Sequence, residues 1–203
     1  MSPTPDEPGP PAAVRAAGRN PERAPFGLVL AALRFAALKH RYQRRKGEEG
    51  FPYLHHCIEV ADTLAGPGGV TDPEVLAASV LHDTLEDTDA TGDELERNFG
   101  LRVRRLVEEV SDDRSLTRER RRAVQVEKAP TLSAEAKLIK LADKICNVGD
   151  VAYAPPVGWS PERCAEYVEW TALVVAGCRG ANGALEERYD RLLAEARSAL
   201  ARL

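Results

Sequence analysis

From Pro25 to its end this sequence is punctuated for helices, and no stretch alternates apolar and polar residues in the way a strand requires. Pro25 suits the first turn of a helix through about Lys46, with Leu30, Leu33 and Ala37 on one apolar stripe. A second helix, from about Tyr53 to Ala65, stops at Gly66 with Pro67 beyond it. Asp72, Pro73 and Glu74 open a helix expected to run through about Asp87. Thr91 and Glu94 form a capping box for a short helix that ends at Gly100. Further helices are expected over Leu101 to Val110, Arg118 to Lys128 and Ser133 to Val148. Two more follow, over Ser160 to Gly177 and Leu185 to Leu203. The fold class is therefore all-α, and no internal repeat is visible.

A chain of 203 residues has room for one domain with a sizeable core. That domain is expected over residues 25–203, because residues 1–24 are rich in Pro, Ala and charge and bury too little to order themselves. The net charge of -4 argues against a general nucleic-acid binder. No apolar run approaches the roughly 20 residues that span a bilayer. Cys57, Cys146, Cys164 and Cys178 are scattered without a CxxC pair, which reads as buried free thiols in a reducing cytoplasm.

Chemistry concentrates on a few polar residues in apolar settings. His82 and Asp83 follow the small apolar run Ala77-Ala78-Ser79-Val80-Leu81, and a buried His-Asp pair is costly without a partner or a cation. Asp143 sits among apolar neighbours with Asn147 one turn on, so that helix lines something polar. His56 lies on the second helix near Ile58 and Val60. Two imidazoles and two carboxylates, with no thiolate, suit Mn, Fe, Co or Mg better than a structural zinc.

The order His56, His82-Asp83, Asp143 resembles the HD-domain superfamily of metal phosphohydrolases. The surrounding motifs are similar to the hydrolase domain of RelA/SpoT-type enzymes. They are Lys39-His40, Gln43-Arg44-Arg45-Lys46-Gly47, Pro52-Tyr53-Leu54-His55-His56, His82-Asp83-Thr84-Leu85-Glu86-Asp87-Thr88 and Lys140-Leu141-Ala142-Asp143-Lys144. The likeness covers the chain from about Phe26 onward and leaves no room for a synthetase or regulatory domain. It therefore resembles the stand-alone small alarmone hydrolases of the Mesh1-like group, a likeness that includes Ser111-Asp112-Asp113, Gly158-Trp159-Ser160, Arg163 and Tyr167.

That resemblance implies removal of the 3′-diphosphate of (p)ppGpp with one divalent metal, usually Mn2+. It makes His56, His82, Asp83 and Asp143 the ligands, and Glu86 and Asp87 the pair that activates or orients water. Arg45, Lys46 and Asn147 match nucleotide contacts, Arg163 and Tyr167 are further candidates, and Arg118 falls where relatives place a cation for the 5′-phosphates. His55 adjoins His56, and the spacing from Arg45 and to His82 favours His56. The competing readings are adenine alarmones or the 2′-phosphate of NADPH as substrate, and a silent alarmone-binding module. An RNA-binding role for the Arg118 to Arg122 helix is disfavoured by net acidity and the absence of interleaved aromatics.

Overall fold

The computed structural model describes residues 24–47 and 50–202. The expected disordered segment lies outside the described residues except for Ala24. Among those residues there are ten α-helices and one 3-10 turn, with no strand, so the all-α expectation holds. No described helix is long and apolar enough to cross a membrane.

The sequence caps form as read. In the Thr91 capping box, Glu94 N donates to Thr91 Oγ1 (3.2 Å) and Thr91 N donates to Glu94 Oε2 (3.3 Å), starting α5 (Gly92–Phe99). Gly100, at φ 93°, ends α5 and starts α6 (Leu101–Val110), a backbone conformation that an L side chain rarely adopts. Asp72, Ser133 and Ser160 each accept a backbone N–H at the start of α3 (Pro73–Leu81), α8 (Ala134–Tyr153) and α9 (Pro161–Cys178).

The largest differences from the expected helix ends are three. The first, α1, covers Pro25–Lys39 rather than continuing to Lys46. Beyond it the chain turns on Gln43 N to His40 O (2.9 Å) and pairs back through Arg45 N to Phe51 O and Tyr53 N to Gln43 O. The polar run Arg41 to Lys46 has ordinary helix propensity, but tertiary contacts override it: His40 is 2% exposed and Gln43 Nε2 donates to Asp87 O.

The second difference is a break at the His-Asp pair: α3 ends at Leu81, and α4 (Thr84–Asp87) begins after Asp83. No Gly or Pro marks the place. The last-turn carbonyls of α3 are instead taken by side chains, with Thr84 Oγ1 donating to Leu81 O (2.6 Å) and His82 Nδ1 bonded to Ser79 O (2.8 Å). Third, α8 continues past Val148 to Tyr153.

The core is organised around α8, which packs against α10 (Gly183–Leu200), α2 (Leu54–Ala65), α9, α6 and α3. Between Ile139 and Ile145 every residue of α8 is buried, Lys140, Asp143 and Lys144 included. A helix buried all round is normally apolar, so three ionisable side chains there mark a site. Small side chains bring α1 and α3 together through Ala32, Ala36, Ala77 and Ala78, all fully buried. A Cβ on Gly177 would lie 2.6 Å from Ala129 Cβ, so glycine lets α9 meet the 3-10 turn Ala129–Thr131. That turn follows α7 (Arg118–Lys128), which has no fully buried residue.

Candidate active site and metal centre

Three helices deliver the side chains that could hold a metal ion. His56 projects from α2, His82 from the end of α3 and Asp143 from the middle of α8, and they are 1%, 4% and 7% exposed. One ligand atom from each lies within 4.8 Å of the other two. His56 Nε2 is 3.2 Å from Asp143 Oδ1, and His82 Nε2 is 3.7 Å from the same oxygen. Asp83 adjoins them, with Oδ2 at 3.0 Å from His82 Nε2 and 3.8 Å from His56 Nε2. Its Oδ2 also accepts a hydrogen bond from Tyr53 Oη (2.5 Å). His55 is exposed and stacks on Phe51, so burial selects His56 of the two histidines.

The donor set fits a divalent cation. Because Ser79 O takes the Nδ1 side of His82, its Nε2 faces two carboxylates with no hydrogen bond of acceptable geometry to either. Burial opposes charge on His82, but Asp83 and Asp143 outweigh it and push the imidazole up to about 10. A divalent ion at this place would satisfy the same carboxylates and replace that proton. His56 moves the other way: burial holds it below the ordinary imidazole range, against the pull of Asp143. Burial also disfavours the Asp143 carboxylate, yet Lys144 and the two imidazoles hold it well below the usual range. Lys144 Nζ donates to Asp143 Oδ2 (2.9 Å) and Asn147 Nδ2 to Oδ1 (2.5 Å), which fixes the carboxylate plane.

Glu86 and Asp87 lie on α4, one step beyond the break. Burial, helped by Asp83 and resisted by Lys140, pushes Glu86 up to about 7. Its Oε1 accepts a hydrogen bond from Asp112 N (2.7 Å). Asp87 is raised too, by burial and then by Asp83. A carboxyl group poised near neutrality beside a candidate cation site has the properties of a proton acceptor.

A cavity of about 1170 Å3 opens over these groups, lined by Asp83, Glu86, Asp87 and Asp143, and by every residue expected to contact substrate. Arg45 is half-buried; it donates to Asn147 Oδ1 (3.2 Å) and pairs with Asp150 beneath the Tyr53 ring. The Arg163 guanidinium lies 4.4 Å from the Trp159 ring centroid, and Trp159 packs edge-on to Tyr167 at 5.3 Å. Burial pushes the Tyr167 phenol up to about 12, so it stays a neutral donor. Lys46 and Arg118 stand exposed at the rim.

Several lining residues were not individually assigned to substrate from the sequence. Arg114, Arg121 and Arg122 add to the basic wall, and Arg122 covers Trp170 at 5.1 Å and Tyr167 at 5.6 Å. The Arg118 to Arg122 run was visible in the sequence, but nothing local separates a solvated face from one turned toward a cavity. Asp150 follows Asn147 at helical spacing and would have been found had α8 been extended to Tyr153. All four cysteines are free; Cys57, Cys164 and Cys178 are buried and Cys146 is half-buried. Burial raises the Cys57 thiol far above its ordinary value, as expected of an inert core residue.

The sequence profile of the family described as HD domain matches residues 32–166. The chain belongs to the HD-domain family. Its relatives include guanosine-3′,5′-bis(diphosphate) 3′-pyrophosphohydrolase MESH1 from Homo sapiens, 54% identical over 81% of this chain and 92% of that one. The MESH1 of Drosophila melanogaster is 44% identical over 83% and 94%. Among solved structures, a metazoan ortholog of SpoT that hydrolyses ppGpp superposes with a TM-score of 0.80. It is 44% identical and is matched over 81% of this chain and 93% of that one.

Proposed function

We propose that the chain hydrolyses the 3′-diphosphate of guanosine 3′,5′-bis(diphosphate), giving GDP and pyrophosphate, and GTP from the 5′-triphosphate form. The observation that carries this reading is the buried His56, His82 and Asp143 cluster beside Glu86, under a cavity with an arginine-rich wall. MESH1 relatives near 50% identity, covering more than four-fifths of this chain, support it. His56, His82, Asp83 and Asp143 hold one divalent cation. Mn2+ is first among candidates for a nitrogen and oxygen set without thiolate. The bound cation supplies Lewis-acid polarisation and acidifies water enough for reaction near neutral pH.

The side chains do the rest. Glu86 accepts a proton from the attacking water as its oxygen bonds to the phosphorus at the 3′ position, and Asp87 orients that water. The bond from phosphorus to the 3′-oxygen breaks, and that oxygen leaves with the electron pair and takes up a proton. Arg45, fixed by Asn147 and Asp150, presents a rigid guanidinium plane for stacking on the base. Lys46, Arg118 and Arg163 neutralise the two diphosphates, and Asn147 and Tyr167 complete the pocket wall. Free cysteines suit a reducing cytoplasm as the place of action.

The deciding assay offers ppGpp, its adenine counterpart and NADPH to the Mn2+-loaded protein and identifies products. GDP with pyrophosphate, formed fastest from the guanine substrate, is the expected result. Orthophosphate released from NADPH as the dominant product would replace this reading, and tight ppGpp binding with no turnover would make the chain a binding module.

The pH dependence has a defined sign. Glu86 works as a carboxylate and is protonated below about 7 in the cation-free protein, so activity falls on acidification. A bound cation moves that midpoint lower, and further acidification protonates His56 and His82 and releases the ion. A pH-rate profile measured with metal content checks both steps. Rate and metal content unchanged down to about pH 4, well below the reference imidazole value near 6.5, would exclude the imidazole ligands.

A further inference from the structure

We propose that Gln125 is a positioning residue for this hydrolysis, acting through Asp112 on Glu86; the proposal rests on the reading of Glu86 as the proton acceptor. Gln125 Nε2 donates to Asp112 Oδ2 (2.5 Å), and Asp112 N donates to Glu86 Oε1 (2.7 Å). The chain of contacts therefore runs from α7 through the segment after α6 to α4. Holding the Asp112 side chain fixes the direction of its own N–H. That N–H occupies one oxygen of Glu86 and leaves the other for water.

Two further observations separate this from ordinary packing. Gln125 Oε1 is buried with no hydrogen-bond partner, a cost that leucine or methionine at this place would avoid. The amide is thus kept for the single bond its nitrogen makes. Moreover, α7 buries no residue fully and is tied to α9 by Trp170 Nε1 donating to Arg122 O (3.0 Å) and by Arg122 lying over Trp170. Arg118, Arg121 and Arg122 of the same helix line the cavity. The helix that offers cations to the substrate therefore also sets the acceptor carboxylate. A misplacement of Glu86 by a fraction of an ångström weakens proton transfer without weakening binding.

The test is a double-mutant cycle with Gln125→Ala and Glu86→Gln, read as kcat and KM for ppGpp together with Mn2+ content and melting temperature. Gln125→Ala is expected to lower kcat about 10- to 100-fold, as loss of an outer-shell partner does elsewhere, with KM and metal content nearly unchanged. In the Glu86→Gln background the same change is expected to have almost no further effect on kcat, because the group it positions is already lost. Gln125→Glu sets two carboxylates together and is expected to be worse, and adding Asp112→Asn restores a donor and acceptor pair and returns activity. Independent, multiplying losses in the double variant, or a rise in KM with unchanged kcat, would overturn the proposal and make Gln125 a packing residue of α7. Full activity in Glu86→Gln alone would overturn the acceptor role and this inference with it. A slow Glu86→Gln beside a fully active Gln125→Ala would overturn only the inference.

Discussion

Asp83→Asn and His82→Ala are expected to lower ppGpp hydrolysis by about a thousandfold or more, equivalent to roughly 4 kcal/mol of transition-state stabilisation. The expected cause is loss of the proposed cation. His82 Nε2 faces Asp83 Oδ2 at 3.0 Å and Asp143 Oδ1 at 3.7 Å, and His56 faces the same two oxygens from α2. Removing the imidazole leaves two buried carboxylates short of a positive partner, a change that typically costs about 3–5 kcal/mol of stability. His82→Ala is accordingly expected to melt lower as well as to bind less metal. Asp83→Asn keeps the shape of the side chain and the bond from Tyr53, so it isolates ligation from folding. Metal content measured by mass spectrometry, beside a melting curve, separates the two effects. Asp83→Asn with a full complement of metal and full activity would remove Asp83 from the ligand set. That outcome has a structural foothold, since the mutually close triad is His56, His82 and Asp143, and Asp83 flanks it.

Glu86→Gln is expected to keep the cation and lose turnover. The amide oxygen of glutamine can still accept from Asp112 N, so the local hydrogen bond and the fold survive. What disappears is the ability to take a proton near neutral pH, which burial and Asp83 have prepared by pushing the carboxyl up to about 7. General-base contributions of this kind are about 100- to 10,000-fold in rate. The loss is expected in kcat, with KM changed by no more than about threefold, because the proposed substrate contacts are Arg45, Arg163 and the other cations. Equal metal content and near-equal ppGpp affinity, with kcat reduced by less than about fivefold, would assign the water-activating role to another group, Asp87 first.

Much of this was legible in the sequence because caps are local. Asp72, Thr91, Ser133 and Ser160 bond to backbone groups two or three residues away, so their helices start where the sequence says. The places where the reading failed lack a local signal. The α3–α4 break has neither Gly nor Pro; its carbonyls are satisfied by His82 and Thr84, residues that look unremarkable inside a helix. The end of α1 depends on His40 being buried and on Gln43 reaching Asp87 O, 44 positions away. Asn182, three residues before Leu185, caps α10 through Leu185 N and moves its start to Gly183.

The candidate site divides along the same line. Residue type, apolar setting and family resemblance picked out His56, His82, Asp83, Asp143, Glu86 and Asp87 as chemically significant, because a buried charged group needs a reason to be there. Tertiary structure alone decided how they meet. Arg45 reaches Asn147 across 102 positions, Tyr53 reaches Asp83 across 30, and Gln125 meets the Asp112 that holds Glu86. Such contacts are formed by helices packing against one another, and no spacing within one helix encodes them. The sequence by itself determined an all-α chain with buried imidazoles and carboxylates. Only the packing of α2, α3 and α8 made them one centre, since convergence of charges is a property of the assembled core, where low polarity makes each partner matter.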